Sequence, residues 1–367
     1  MSLRNHRIVV IPGDNIGPEL IEAALDVLEA AQKAEGDFKV EIETHLAGAT
    51  YYAEHGVPMS EETLEACRSA DSVLKAPVGD PAIRTPDGIE AGLLGGVLRS
   101  GLDLFANVRP IKLYPGVSSP LRNRDPGSID YVVVRENTEG LYASRGRGVG
   151  GPNAMADTML MTRPGVERIV RFAFELAQKR GGAPSDGASR VTCVEKSNVL
   201  KSFVFFREIF FEVAAEYTAI EAETIYPDAA AQALVMNPGH YDVLVMENFL
   251  GDILSDLGGG TIGGLGMCPS GNIGDTYSYF EPVHGSAPDI AGKGIANPVS
   301  QILSAAMMLR HIGETAAARR IEGAVWKALE NEGLRFDERG RAVSGTKRVT
   351  EAIINRLKDS KSGEVSS

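Results

Sequence analysis

The stretch Arg7-Ile-Val-Val-Ile11-Pro-Gly-Asp-Asn15-Ile-Gly17-Pro-Glu-Leu20-Ile21-Glu-Ala-Ala24-Leu25-Asp-Val-Leu28 decides the fold class. Residues 7–11 form a short β-branched run of the kind that fills a buried strand. Pro12 to Asn15 turn the chain. From Gly17 onward, Leu20, Ile21, Ala24, Leu25 and Leu28 recur at helical spacing and mark one apolar helix face. A strand therefore feeds directly into a helix. Residues 72–76, 104–108, 131–135, 191–195 and 243–246 read as further strands, the last two each running into a helix. Residues 303–312 read as a buried helix and 316–329 as an amphipathic one. Strands alternating with helices predict an α/β protein with a largely parallel sheet.

A classical Rossmann fold is not expected. Two later segments, 146–151 and 258–263, fit Gly-x-Gly-x-x-Gly. Neither joins a strand to the start of a helix with an acid about 20 residues further on. The first reads as a loop or arm, the second as a place of close backbone packing. A nucleotide site of another kind is signalled by Glu281-Pro-Val-His284-Gly-Ser-Ala-Pro-Asp289-Ile-Ala-Gly-Lys-Gly-Ile-Ala-Asn297. Rigid backbone, open amides and a few polar side chains are what a bound cofactor needs.

Composition narrows the function classes. The 367 residues suggest two domains or one large elaborated one. With 49 acids against 37 bases, the net charge of −12 argues against non-specific nucleic-acid binding. No apolar run reaches membrane-spanning length. The start, Met1-Ser-Leu-Arg-Asn-His6, has no signal-peptide pattern. Cys67, Cys193 and Cys268 form no Cys-x-x-Cys pair, so buried thiols in a reducing, cytoplasmic compartment are expected. The polar tail from about Lys358 to Ser367 reads as disordered.

Several residues could carry chemistry. Asp252 and Asp256 stand four apart, so on a helix both carboxylates project from one face. Such a pair repels itself unless a cation lies between, and hard oxygen ligands suit Mg²⁺ or Mn²⁺. Apolar Phe249, Leu250, Ile253 and Leu254 leave little room for a merely solvated acidic face. Asp228, at a strand-to-helix turn, is either a further ligand or a helix cap. Arg99 and Arg109 flank Leu-Asp-Leu-Phe-Ala-Asn-Val, and Arg135 ends a strand. Each is either a structural ion pair or an anion grip, and convergence of all three would favour a di- or tricarboxylate. Tyr142 and Lys196 each follow a predicted strand, in structural or acid–base roles. His284 is either a cofactor contact or a cap.

Five ordered motifs now point one way: Ile-Pro-Gly-Asp-Asn-Ile-Gly-Pro-Glu, Leu-Phe-Ala-Asn-Val-Arg-Pro, Val-Arg-Glu-Asn-Thr-Glu-Gly-Leu-Tyr, Glu-Asn-Phe-Leu-Gly-Asp-Ile-Leu-Ser-Asp, and the segment from Glu281 to Asn297. From Ile8 to about Leu357 the chain resembles the isocitrate/isopropylmalate dehydrogenase family. These are metal-dependent β-hydroxyacid oxidative decarboxylases, which also include homoisocitrate, tartrate and D-malate dehydrogenases. The resemblance implies an isopropylmalate dehydrogenase-like two-domain α/β fold around a large mixed sheet. Residues 1–104 and 265–367 would form a cofactor-binding domain, and 105–264 a substrate, metal and dimerisation domain. It further implies a homodimer with shared active sites.

By motif position, Arg99, Arg109 and Arg135 would grip the substrate carboxylates. Asp252 and Asp256 would hold Mg²⁺ or Mn²⁺, with Lys196 and Asp228 entering from the partner subunit. Lys196 would be the base and Tyr142 the acid. Asn198 matches a residue near the nicotinamide. Glu281, His284, Gly285, Ser286, Ala287, Asp289, Ile290 and Asn297 would line the cofactor. Family members that use NADP place a basic residue where this chain has Asp289, followed by apolar Ile290. A carboxylate there accepts from a ribose 2′-OH and repels a 2′-phosphate, so NAD is expected.

The substrate motifs are mixed. Isocitrate enzymes have Ser and Asn where this chain has Leu93 and Gly95, and bacterial homoisocitrate enzymes can have Arg where it has Gly96. Glu90, Leu93 and Leu94 resemble the patch that receives an isopropyl group, set two residues further from Arg99. In contrast, Asn-Thr-Glu-Gly-Leu-Tyr and Pro-Ser-Gly-Asn-Ile-Gly-Asp look like the isocitrate and homoisocitrate branch. The expected substrate is a 3-isopropylmalate-like D-malate, with homoisocitrate, isocitrate, tartrate and D-malate as alternatives. A non-catalytic regulatory subunit would have lost site residues, and here all eight are present. Asn15 replaces the usual Gly and should tolerate a left-handed turn.

Overall fold

The computed structural model describes residues 3–86 and 88–359, so most of the polar tail lies outside the described residues. In chain order the larger elements are β1 (Arg4–Ile11), α1 (Gly17–Glu35), β2 (Phe38–Thr44), α2 (Ala49–His55), α3 (Glu61–Ser69), β3 (Ser72–Lys75), β4 (Ala106–Lys112) and β5 (Asp130–Glu136). The hairpin β6 (Val149–Gly151) and β7 (Ala154–Ala156) follows, then α4 (Arg163–Ala177), β8 (Arg190–Val194), α5 (Lys201–Ala214), β9 (Glu221–Ile225), α6 (Pro227–Met236), β10 (Val243–Met246) and α7 (Asn248–Thr261). Last come β11 (Pro269–Ile273), β12 (Ser278–Pro282), α8 (Val299–His311), α9 (Thr315–Asn331) and α10 (Thr346–Asp359).

Ten strands make one mixed sheet in the order β2-β1-β3-β12-β11-β4-β5-β10-β8-β9. Two parallel blocks, β2-β1-β3-β12 and β5-β10-β8-β9, run in opposite directions. The antiparallel pairs β12–β11, β11–β4 and β4–β5 reverse the direction between them. The expected parallel character holds within each block, and this central reversal makes the sheet mixed.

The first βα unit forms as its pattern requires. Ile8 and Val10 enter the core on one face of the sheet, and Val9 and Ile11 enter that on the other. A two-residue period places successive side chains on opposite faces. Helix α1 starts with Pro18 in its first turn and ends at Gly36, whose φ of +74° is a left-handed cap. Val27 joins the buried stripe, while Leu25 is only partly buried. Asn15 adopts φ +53°, as its replacement of Gly anticipated. The segment 146–151 is the exposed arm expected, and it pairs with Ala154–Ala156. At Gly258 an added Cβ would lie 2.6 Å from the Tyr131 hydroxyl, so close packing does require the glycine. The three cysteines are buried and free.

Candidate active site

The strands beside the reversal bring the arginines together. Arg135, fully buried near the end of β5, lies in register with Asn107 of β4. Its Nε and Nη2 donate to Asn248 Oδ1 at 3.0 and 2.7 Å, and its Nη1 ion-pairs with Asp252. The aliphatic stem of Arg135 runs so close beneath α7 that a Cβ at Gly251 would lie 2.5 Å from its Cγ. Arg109 donates to Asn107 Oδ1 and Ser255 Oγ, both at 2.6 Å. It also spans one turn of α7, at 3.5 Å from Asp252 and 3.4 Å from Asp256. The helical reading of Asp252 and Asp256 is therefore correct, and both face one patch. Tyr142 donates its hydroxyl proton to Asp252 Oδ2 at 2.9 Å.

Charge within this cluster is finely opposed. Burial works against ionisation of Asp252, but Arg135 and Arg109 outweigh it and hold the carboxyl below its usual range. Asp256 is pushed up by burial, and the neighbouring charge of Asp252 adds to this. Burial, then Arg109 and Arg99, destabilise the Arg135 cation. Burial and Asp252 raise Tyr142, so its phenol stays protonated at neutral pH. Asp252 and Asp256 remain 38% and 52% exposed. Two accessible carboxylates that repel each other are a donor set suited to a hard divalent cation. A cation there would also release Arg109 and Arg135 toward another anion.

Arg99 sits in a short π-helical turn, Gly96–Ser100, and forms the second limb of the site. Such turns are frequent at functional positions. Its Nε donates to the Tyr279 hydroxyl at 3.0 Å, and its Nη2 reaches Glu281 at 3.3 Å. Glu281 stands at the end of β12 rather than on the following loop, and Lys75 holds its other oxygen at 2.5 Å. Burial disfavours the carboxylate, yet Lys75 and Arg99 pull it down to about 2. Arg99, Arg109, Lys75 and Glu281 line a cavity of about 230 Å³, together with Leu93 and His284. Leu94 lines the cavity too; Leu93 is 46% exposed, whereas Leu94 is buried. The Glu90 carboxylate packs near Gly79, where an added Cβ would lie 2.7 Å from Oε1.

The 281–297 segment divides into two uses. His284 and Gly285 line the cavity, with His284 bonded to Gly285 O at 2.9 Å and Ser300 Oγ at 3.0 Å. Ala287 takes a left-handed φ of +42°, leaving Asp289 exposed on the short turn Pro288–Ile290, while Ile290 is buried. Ser286 and Asn297 are spent inward. Ser286 donates to Gly79 O at 2.6 Å, while Asn297 donates to Gly340 O at 3.1 Å and accepts from Val299 N. Asn297 thereby starts α8 at Val299, earlier than its apolar pattern suggested.

Lys196 and Asp228 stand apart from this cluster. They ion-pair with each other just beyond β8 and in the first turn of α6, with side chains 30% and 72% exposed. Asp228 makes no side-chain helix cap, and Asn198 nearby is exposed. Among the described residues no three His, Cys, Asp or Glu side chains converge as a metal site. One chain thus brings together two of the three expected carboxylates.

Sequence reading passed over Lys75, Tyr279, Asn248 and Arg145. Lys75 carried a usable signal, a charge ending the buried run Ser-Val-Leu-Lys, as Arg135 did. Arg145, after the turn Leu141–Ser144, also lines the cavity. Asp14 was missed as well. It binds the backbone N–H of Ala49, Thr50 and Gly79, tying the turn after β1 to the start of α2 and to the loop after β3.

The sheet topology and this site define a class, the decarboxylating dehydrogenases that act on β-hydroxyacids. A family profile described as "Isocitrate/isopropylmalate dehydrogenase" matches residues 7–353, and the chain belongs to that family. It is 42% identical over 362 residues to a protein of Agrobacterium vitis named "Probable tartrate dehydrogenase/decarboxylase", covering 97% of this chain and 98% of that one. It is also 42% identical to 3-isopropylmalate dehydrogenase of Chlorobaculum tepidum, covering 96% and 99%. Isocitrate dehydrogenase from Methylococcus capsulatus matches in structure with a TM-score of 0.84 at 40% identity, covering 96% and 99%. A β-decarboxylating dehydrogenase from Thermococcus kodakarensis, in its apo form, matches at 0.78 with 40% identity, covering 96% of each chain. No helix among the described residues is long and apolar enough to cross a membrane.

Proposed function

We propose that this chain oxidises and decarboxylates a 3-substituted D-malate, using NAD and Mg²⁺ or Mn²⁺, as a homodimer with shared sites. The observation that carries the reading is the convergence of Arg99, Arg109 and Arg135 with Asp252, Asp256 and Tyr142. Residues 1–104 and 265–367 serve the cofactor, and 105–264 the substrate, metal and second copy. Bound NAD would accept the hydride, and a divalent ion on Asp252, Asp256 and Asp228 of the other copy would acidify the substrate hydroxyl.

The protein's own residues do the rest. The three arginines fix the two carboxylates of the malate unit in bidentate fashion. Lys196, contributed by the other copy, removes the C2 hydroxyl proton as hydride leaves C2. After the carboxylate on C3 departs as CO₂, Tyr142 delivers its phenolic proton to C3. Burial and Asp252 keep that proton in place beforehand. Asp289 supports NAD over NADP because its exposed carboxylate repels a 2′-phosphate. Leu93 supports an alkyl substituent on C3, such as isopropyl.

The test is a panel of 2-hydroxy diacids assayed with NAD and NADP, each with Mn²⁺ or with a chelator. The expected result is NADH formation on at least one 3-substituted malate, abolished by the chelator. No turnover on any member would overturn the reading. Asp289→Lys is expected to shift the NADP/NAD activity ratio upward by about tenfold or more. An unchanged ratio would remove Asp289 from cofactor choice.

A further inference from the structure

We infer that Arg145 is a specificity-determining residue that binds a terminal carboxylate on the C3 substituent of the substrate. The inference rests on the proposed function and narrows the substrate from a 3-substituted malate to a 3-carboxyalkylmalate, in place of the 3-isopropyl example. The other cationic groups of the cavity are already matched. Lys75 and Arg99 share Glu281, and Arg109 faces Asp252 and Asp256. Arg145 lines the rim of the same cavity as an exposed residue, and among the described residues its guanidinium has no protein hydrogen bond or ion pair. Its ring neighbour Tyr142, 5.6 Å from the guanidinium carbon, orients the group without neutralising it.

The placement is built by the local sequence. The turn Leu141–Ser144 closes with Arg145 N bonded to Tyr142 O at 3.1 Å. Ser144 pins it to Thr158 through two hydrogen bonds of 2.7 and 2.9 Å. The guanidinium then lies beside the glycines that precede Arg99. A Cβ at Gly95 would stand 3.5 Å from Arg145 Nη1, and one at Gly96 would stand 3.7 Å from it. Those positions carry no side chain to read the substituent, and Arg145 supplies one from another loop. Leu93 provides an apolar wall in the same cavity. A methylene stem can rest on that wall while its terminal carboxylate meets the unmatched cation. An isopropyl group would satisfy Leu93 and leave Arg145 without an anion. With a divalent cation on Asp252 and Asp256, Arg109 and Arg135 are released to join Arg99 on the two malate carboxylates, and Arg145 remains for a third.

The deciding experiment compares wild type with Arg145→Ala and Arg145→Lys. Binding with Mn²⁺ present is measured by calorimetry, and kcat/KM with NAD, on isocitrate, homoisocitrate and 3-isopropylmalate. Wild type should favour a tricarboxylate over isopropylmalate. Arg145→Ala should lower that preference by about 10- to 100-fold, chiefly through KM and binding, with Arg145→Lys recovering part of it. A preference unchanged in Arg145→Ala, or a wild type that favours isopropylmalate, would overturn the inference. Binding that depends on Arg145 without any turnover would instead overturn the proposed function and leave the inference standing. No binding of any of the three would overturn both.

Discussion

Arg135 and Lys196 are both cations at the ends of buried strands of one sheet, with β10 between those strands, yet their surroundings are opposite. Arg135 is fully enclosed, and Asn248 and Asp252 meet its donors. Lys196 is partly exposed and touches one carboxylate, itself mostly exposed. A buried charge must be paired within the chain or it costs several kcal/mol. An exposed pair contributes little to stability and is free to serve another surface. The difference separates a half-site that the chain completes by folding from one that the proposed function completes by pairing with a second copy.

The largest effect should come from Arg135→Ala. It leaves buried Asn248 Oδ1 without its donors and removes the side chain packed under Gly251, so stability should fall by about 1–3 kcal/mol, seen as a lower denaturant midpoint. Turnover should fall at least about 100-fold. A variant as stable as wild type would mean that the buried cluster contributes nothing to the fold. Lys196→Ala should reverse this balance. The denaturation midpoint should barely move, while kcat falls by about 100- to 10,000-fold as for a lost general base. Full activity would reject Lys196 as the base.

A smaller effect tests the Glu281 limb. The folded carboxyl titrates near 2 against an ordinary 4.5. A depressed folded value means that the unfolded chain binds more protons in between. The contribution is therefore complete above pH 4.5 and is lost as pH falls toward 2. Glu281→Gln should flatten the acid limb of the stability profile across that window. An acid limb identical to wild type would mean that Lys75 and Arg99 do not hold this carboxylate in solution.

Much of the completed half-site was legible in sequence. The four-residue spacing of Asp252 and Asp256 and the strand-ending Arg135 are local signals that survive folding unchanged. The first βα unit was read from its periodicity for the same reason. What escaped depends on distant chain. Pro269-Ser-Gly-Asn-Ile273 is not among the strands read from sequence, and as β11 it is paired by β12 and β4 on both sides. Tyr279 and Glu281 then reach Arg99 across that reversal. Arg145 looks like an ordinary loop arginine until the turn after Tyr142 places it beside Gly95 and Gly96.

Mixing two inactive variants tests the shared site most directly. Tyr142→Phe and Lys196→Ala chains, co-refolded or co-expressed and verified as hybrid dimers, should regain activity, because one of the two sites in each hybrid then has both residues intact. If hybrids form and stay as inactive as the parents, Lys196 acts within its own chain and the shared-site account is wrong.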